Sequence, residues 1–456
     1  TVSSSLQQVA RRALINGLVT YDERHGYRGP EQRFPVSQDT PDARRYWLAA
    51  LRDVAVIAER LPAIVTEVLE DRVTLLLPDG DKGELLWENG PSEARPYLSE
   101  DRRGAPPKAL TDLFTPGDLI RVTADEGATW RLSQVPAVQG ALVSLEPEDG
   151  AIVSIVGGMG FELSKFNRAT QAQRQPGSSF KPFLYAAALE AGFTAASIIN
   201  DAPIVMADSS LEDIWRPEND GGNFHGPTRL RWALTKSRNL VSIRLLQQLG
   251  TQKFIEAAGR YGFDTSDFAP DLSLALGTHA MSPLEVATGF AMLANGGYRV
   301  EPYLIARVDD INGETIHRAR PMTVCRECER QPQPEGAATE LSMDEILAQS
   351  QADEQRPPAA PRVMDEQVNF ILNSILQDVI KRGTGRRAMA LERNDLAGKT
   401  GTTNGPMDAW FSGYYPDLVT TTWVGFDNYT PIGRREFGGT AALPVWMEYM
   451  GEALAG

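Results

Sequence analysis

A chain of 456 residues is too long for one ordinary core, so two to three domains are expected. Hydrophobic residues make up 42% and charged residues 23%, which excludes a disordered polypeptide, and no run reaches the roughly 20 apolar residues of a membrane span. A formal net charge of −15 argues against nucleic acid as a partner, because its phosphates would be repelled over most of the surface.

The opening TVSSSLQQVARRALINGL has no basic-then-apolar leader and reads as a helix without lead-in, so Thr1 is taken as a cut end of something longer. Leu6, Val9, Ala10, Ala13, Leu14 and Leu18 fall on one helical face, and Gly29-Pro30 marks a turn. A second helix is expected from Thr40 to about Glu59, with Thr40 as N-cap and Pro41 at its first position. Residues 1–60 are together read as a linker region. Between residues 61 and 134 the runs AIVTEV, RVTLLLPDGDKGELLW and DLIRVTA are short, β-branched and separated by Asp-Gly and Pro-Gly turns. Several short strands with unequal loops suggest an OB-like all-β barrel. Such barrels often bind oligonucleotides, but Glu67, Glu70, Asp71, Asp79, Asp81, Glu84 and Glu88 point to protein docking instead.

Residues 135–456 read as a single α+β domain. GALVSLEPEDGAIVSIVGG is a hairpin by its turn chemistry, and helices dominate from Ser178 to Leu293, one of them starting at Thr228. Two more strand-like runs, through DLAGKTGTT and DLVTTTWVGFDN, come near the end. Strands at both ends with helices between imply one antiparallel sheet flanked by helices. Within this domain, Cys325 and Cys328 form a lone C-x-x-C without a histidine pair to complete a zinc site, so a local disulfide or two idle thiols is expected and no metal. Residues 318–362, rich in Pro, Gln, Glu and Ala, are expected to form a mobile excursion without chemistry.

Three short segments carry residues suited to chemistry. In QPGSSFKPF, Ser178 and Lys181 are three apart and share a helical face, Gly177 permits close approach of another group, and a helix start favours negative charge. A lysine made neutral by burial or by a second cation could take the serine proton. In TKSRNL, Ser237 and Asn239 sit on a short turn between helices, where a hydroxyl and an amide can project together. In AGKTGTTN, Lys399 offers a charge for a carboxylate, Thr400 and Thr402 offer hydroxyls, and the small residues let a substrate backbone lie alongside the strand. Each segment alone is equally an ordinary cap or turn.

In this order the three resemble the S-x-x-K, S-x-N and K-T-G set of penicillin-binding proteins and serine β-lactamases. NRATQAQRQPGSSFKPF, WRPENDGGNFHGPTRLRWALTKSRN, LALGTHAMSPLEVATGFAMLANGG and GPMDAWFSGYYPDLVTTTWVGFDN look like the transpeptidase domain of class A penicillin-binding proteins. GLVTYDERHGYRGP and the acidic β unit look like the linker and OB-like insertion of the Gram-negative penicillin-binding protein 1a group.

The resemblance implies Ser178 as acylated nucleophile, Lys181 as its base, Ser237 as proton relay, and Asn239 positioning Lys181 and the substrate amide. It further implies that Lys399 keeps Lys181 deprotonated and attracts the substrate carboxylate, which Thr400, Gly401 and Thr402 bind. The amides of Ser178 and Thr402 would form the oxyanion hole. Peptidoglycan stem peptides ending in D-Ala-D-Ala, an amine acceptor and β-lactams are the implied ligands, without cofactor, and the implied place is the periplasm, with the parent protein anchored in the inner membrane. The acidic surface of 61–134, which holds no catalytic constellation, motivates the expectation that it docks a regulatory protein, an outer-membrane lipoprotein activator. No glycosyltransferase segment is recognisable, so this chain is not expected to polymerise glycan. A class A β-lactamase would need a deacylating glutamate in E-x-x-x-N, and no such pattern occurs.

Overall fold

Ser3 caps the first helix, α1 (Ser4–His25), by accepting a hydrogen bond from the Leu6 amide. The computed structural model describes residues 1–35, 39–125, 129–207, 214–328 and 357–455. The stripe Ala10, Ala13, Leu14 and Leu18 is fully buried. It packs with the helix Leu443–Ala453 on one face of the sheet that carries the site. The second helix, α2 (Pro41–Arg52), has the expected Thr40 cap, whose hydroxyl accepts from the Ala43 amide at 3.2 Å. It stops at Arg52 rather than Glu59, because Ala58 and Glu59 take φ values of 45° and 67° in a tight turn closed by Ile57 and Arg60.

That turn feeds a barrel of five strands: β1 (Leu61–Val68), β2 (Arg72–Leu76), β3 (Lys82–Leu86), β4 (Asp118–Ala124) and β5 (Trp130–Ser133). β1 pairs with β2 and β4, β2 with β3, and β4 with β5, all antiparallel, and the parallel bridge Leu85–Trp130 joins β3 to β5 and closes the ring. The order β1-β2-β3-β5-β4 is that of an OB-like barrel. Alternation sorts the side chains as a pleat requires. Ala63, Val65, Val73, Leu75 and Val122 fill the barrel, while Ile64, Leu76 and Leu119 face outward under Trp47 and Leu51 of α2.

The second sheet is antiparallel throughout, with strands β6 (Gln139–Leu145), β7 (Ile152–Val156), β8 (Ala397–Thr402), β9 (Asp408–Tyr415) and β10 (Leu418–Gly425) in the order β7-β6-β10-β9-β8. β6 and β7 are the expected hairpin. Near the C-terminal end three strands are present, not two. β9, DAWFSGYY, is buried on both faces and so lacks the alternation by which a half-exposed strand is read.

One face carries the helices α3 (Lys181–Glu190), α4 (Leu230–Thr235), α5 (Asn239–Leu249), α6 (Thr251–Arg260), α7 (Pro283–Ala294) and α8 (Glu366–Arg382), and the other carries α1 and α9 (Leu443–Ala453). The helix expected from Thr228 begins at Leu230; Gly226–Arg229 instead pairs with Ile198–Asp201 as a two-stranded ribbon. Cys325 and Cys328 are joined in a disulfide. Both flanks of the expected excursion are anchored: the Thr323 amide donates to Pro358 O, and the Arg299 amide to Pro361 O. Its middle, 329–356, lies outside the described residues. Among the described residues no helix is long and apolar enough to cross a membrane.

Candidate active site

The serine turn rests directly on the edge strand. Gly177–Phe180 is a single 3₁₀ turn that runs into α3. Gly177 has φ 55°, and a Cβ there would come within 2.5 Å of Thr402 O, so only glycine fits. Gly401 plays the reciprocal part, since a Cβ on it would collide with Pro176 O. At this point the small residues of β8 make room for the protein's own turn. Further bonds pin the turn: Gly177 N–H to Gly277 O at 3.1 Å, Trp410 Nε1 to Gln175 O at 2.8 Å, and a reciprocal pair between Arg174 and Met281. Ser178 is left half-buried at the start of α3, with its amide one residue from the contact with Thr402.

One turn further on, Lys181 is 1% exposed, and Lys399 of β8 is fully buried. Lys181 Nζ lies 2.6 Å from Asn239 Oδ1 and 2.9 Å from Ser237 O, with Ser237 Oγ at 3.4 Å. Its hydrogen bonds do not reach Ser178 Oγ among the described residues. The two short contacts are to oxygens that can only accept, so they occupy both N–H bonds of a neutral amine and leave its lone pair for a hydroxyl. Lys399 Nζ donates to Ser237 Oγ and to Thr400 O, each at 2.9 Å. Ser237 thus accepts from Lys399 and is free to direct its own proton toward Lys181.

The Ser237 turn is held in an unusual shape. Ser237 has φ 57°, a left-handed conformation that costs a non-glycine residue about 1–3 kcal/mol unless its surroundings impose it. The surroundings are a buried polar network absent from the sequence expectations. Asp201, fully buried, accepts from Arg238 Nε at 2.8 Å and from Asn219 Nδ2 at 2.7 Å. Asn219 Oδ1 accepts the Asn239 amide at 2.9 Å, and Asn239 Nδ2 donates to Glu218 O, which turns Asn239 Oδ1 toward Lys181. The arginine of TKSRNL and the RPEND segment were the only visible signals, and neither spacing says that they meet.

Burial is the first cause that holds the Lys181 pKa well below the ordinary ammonium value; the charges of Lys399 and then Arg238 add to it, and Asp220 opposes them. Burial and a second cation therefore act together on Lys181, with burial first. Burial also pushes Lys399 down, to about 7. The threonines of β8 are engaged within the protein: Thr400 Oγ1 lies 2.6 Å from Thr384 Oγ1, and Thr402 Oγ1 accepts the Gly438 amide at 3.1 Å, which leaves its proton to donate outward.

Six of the residues expected at the site, Ser178, Lys181, Ser237, Asn239, Lys399 and Thr402, therefore converge on one sheet edge, whereas Thr400 and Gly401 meet Thr384 and the serine turn. Residues 140–450 match the penicillin binding protein transpeptidase domain, and residues 27–138 the penicillin-binding protein OB-like domain. Penicillin-binding protein 1A of Pseudomonas aeruginosa is 48% identical over 468 residues, covering 100% of this chain and 56% of that protein. That of Escherichia coli K12 is 37% identical over 508 residues, covering 100% of the chain and 59% of the relative. The solved penicillin-binding protein 1A of Haemophilus influenzae superposes with a TM-score of 0.85 at 36% identity, over 100% of this chain and 66% of that one. The chain thus spans somewhat more than half the length of the curated relatives it matches. Sequence and fold agree, and the chain belongs to the penicillin-binding protein transpeptidase family.

Proposed function

We propose that this chain is a D,D-transpeptidase that crosslinks peptidoglycan stem peptides through an acyl-enzyme on Ser178 and is itself acylated by β-lactams. The observation that carries the reading is the ordered run of hydrogen bonds from Lys399 through Ser237 toward Lys181. Neutral Lys181 takes the Ser178 proton as Oγ attacks the penultimate D-Ala carbonyl. The amides of Ser178 and Thr402 receive the developing oxyanion, a pair in which one donor is worth about 10²–10³ in rate. Ser237 passes a proton to the departing D-Ala amine, and an acceptor amine then takes the acyl group from Ser178. Lys399 and Thr402 hold the terminal carboxylate, with Gly401 keeping the strand against the serine turn. The chain acts in the periplasm, as part of a longer protein held in the inner membrane. Mass spectrometry after benzylpenicillin treatment tests this: one penicilloyl group that leaves slowly is expected. Rapid loss would mean a β-lactamase, and no adduct a binding module.

The two lysines set a pH dependence whose sign follows from their roles. Lys181 must be neutral, so acylation switches on as pH rises through its lowered pKa. Lys399 must be cationic, so acylation falls as pH rises through about 7. The second-order rate of penicillin acylation should trace a bell with its alkaline limb near neutrality. A rate still climbing at about pH 9 would show that the Lys399 charge is dispensable.

The OB-like barrel serves as the docking face for an activating outer-membrane lipoprotein. Its seven carboxylates, Glu67 to Glu88, are all exposed, and it contributes none of the residues around Ser178. Changing Glu67, Glu70, Asp71 and Glu84 to lysine should abolish activation of crosslinking by such a partner and leave penicillin labelling unchanged. Undiminished activation of the variant would mean that the barrel only props the domain.

A further inference from the structure

The seam between the barrel and the transpeptidase domain holds a cavity of about 750 Å³ whose lining does not include Ser178. That size is within the range of about 300–1,000 Å³ typical of ligand clefts. Its walls come from the end of α1, from the barrel segment 99–103, and from the 434–440 segment that precedes α9. They carry six arginines: Arg24, Arg102, Arg103, Arg387, Arg434 and Arg435. Such a concentration runs against a chain of net charge −15.

The cavity's three carboxylates are already committed. Glu436 pairs with Arg24 at 2.9 Å, and Asp101 pairs with Arg434 at 3.3 Å. Glu100 accepts from Tyr21 at 2.9 Å and Tyr97 at 2.8 Å. Among the described residues, Arg102, Arg103, Arg387 and Arg435 have no carboxylate within ion-pair distance. Arg387 donates to the Gly439 carbonyl at 3.3 Å. With six guanidiniums against three carboxylates, the cavity carries an excess of positive charge that an entering anion relieves.

We propose that this cavity binds an acidic peptide segment bearing two or more separate carboxylates. Guanidinium forks match carboxylates in bidentate fashion, and their spread over two domains suits charges spaced along a chain. The interleaved Glu100, Asp101 and Glu436 disfavour a compact, densely charged phosphate, which would sit close to at least one of them. The site also adjoins the machinery described above: Thr440 Oγ1 donates to Glu436, and the same turn supplies the Gly438 amide to Thr402.

The test uses the whole chain and a fluorescein-labelled tetraglutamate peptide, followed by anisotropy at low salt. Binding should weaken with added salt and should fall at least about tenfold in the exposed-residue double variant Arg102→Glu/Arg435→Glu, while a tetraglutamine peptide fails to bind. Fluorescent-penicillin labelling at the parent rate verifies that the variant is folded. If charge reversal disrupts folding, Arg102→Gln/Arg435→Gln replaces it, with a loss of about threefold or more expected. Equal binding of the glutamine peptide, binding unmoved by a folded double variant, or displacement by pyrophosphate at lower concentration than by unlabelled tetraglutamate would each overturn the proposal.

Discussion

Ser178→Ala is expected to yield a folded chain to which benzylpenicillin adds no mass. Ser178 Oγ makes no hydrogen bond among the described residues, and its side chain is half-buried. Removing it therefore strands no partner and should cost less than about 1 kcal/mol of stability, so the melting transition should scarcely move. Chemically the loss is complete. Ser179, the adjacent hydroxyl, is fully buried against Gly401 of β8 and cannot substitute as nucleophile. Ser237 is pointed at the two lysines and held on a separate turn. Intact-mass measurement on parent and variant decides the matter: a penicilloyl adduct on the folded variant would move the nucleophile elsewhere.

The polar segments carrying the site were legible because each has a local cause. Gly177 before a serine, a lysine one turn later, and a lysine followed by small residues on a strand are short-range patterns, and their order along the chain is what made them specific. The sheet was partly legible for the same reason: β6, β7, β8 and β10 announce themselves by β-branched runs and turn residues. β9 did not, because DAWFSGYY holds no β-branched residue and burial on both faces removes the period-two signal. What no local pattern carries is long-range pairing. Asp201 and Arg238 are 37 residues apart, yet their contact holds Ser237 in its left-handed shape. Gly401 reads as one small residue on a strand, and only the fold shows that Pro176 packs against it. The α1 stripe was seen as amphipathic, but its target, the back of the sheet beside α9, depends on a segment more than 400 residues away.

Lys399→Ala is expected to slow acylation by about three powers of ten, the sum of effects that meet at one nitrogen. The first acts through Lys181. With the neighbouring charge gone, Lys181 holds its proton more readily, and each unit by which its pKa passes the assay pH removes about nine-tenths of the neutral base. The second is the substrate carboxylate, which loses a charge-assisted hydrogen bond of about 1.5–3 kcal/mol, or roughly tenfold to a hundredfold. The third is Ser237, whose hydroxyl loses the 2.9 Å donor that sets its direction and becomes free to rotate away from Lys181. Burial remains after the substitution, and burial is the first cause of the low Lys181 pKa, so some acylation should survive, unlike in Ser178→Ala. The pH profile separates this account from simple damage to the fold. The alkaline limb near 7 belongs to Lys399 and should vanish, while the acid limb should move upward as Lys181 recovers basicity. A variant whose rate stays within about tenfold of the parent, or whose alkaline limb persists, would remove Lys399 from the mechanism.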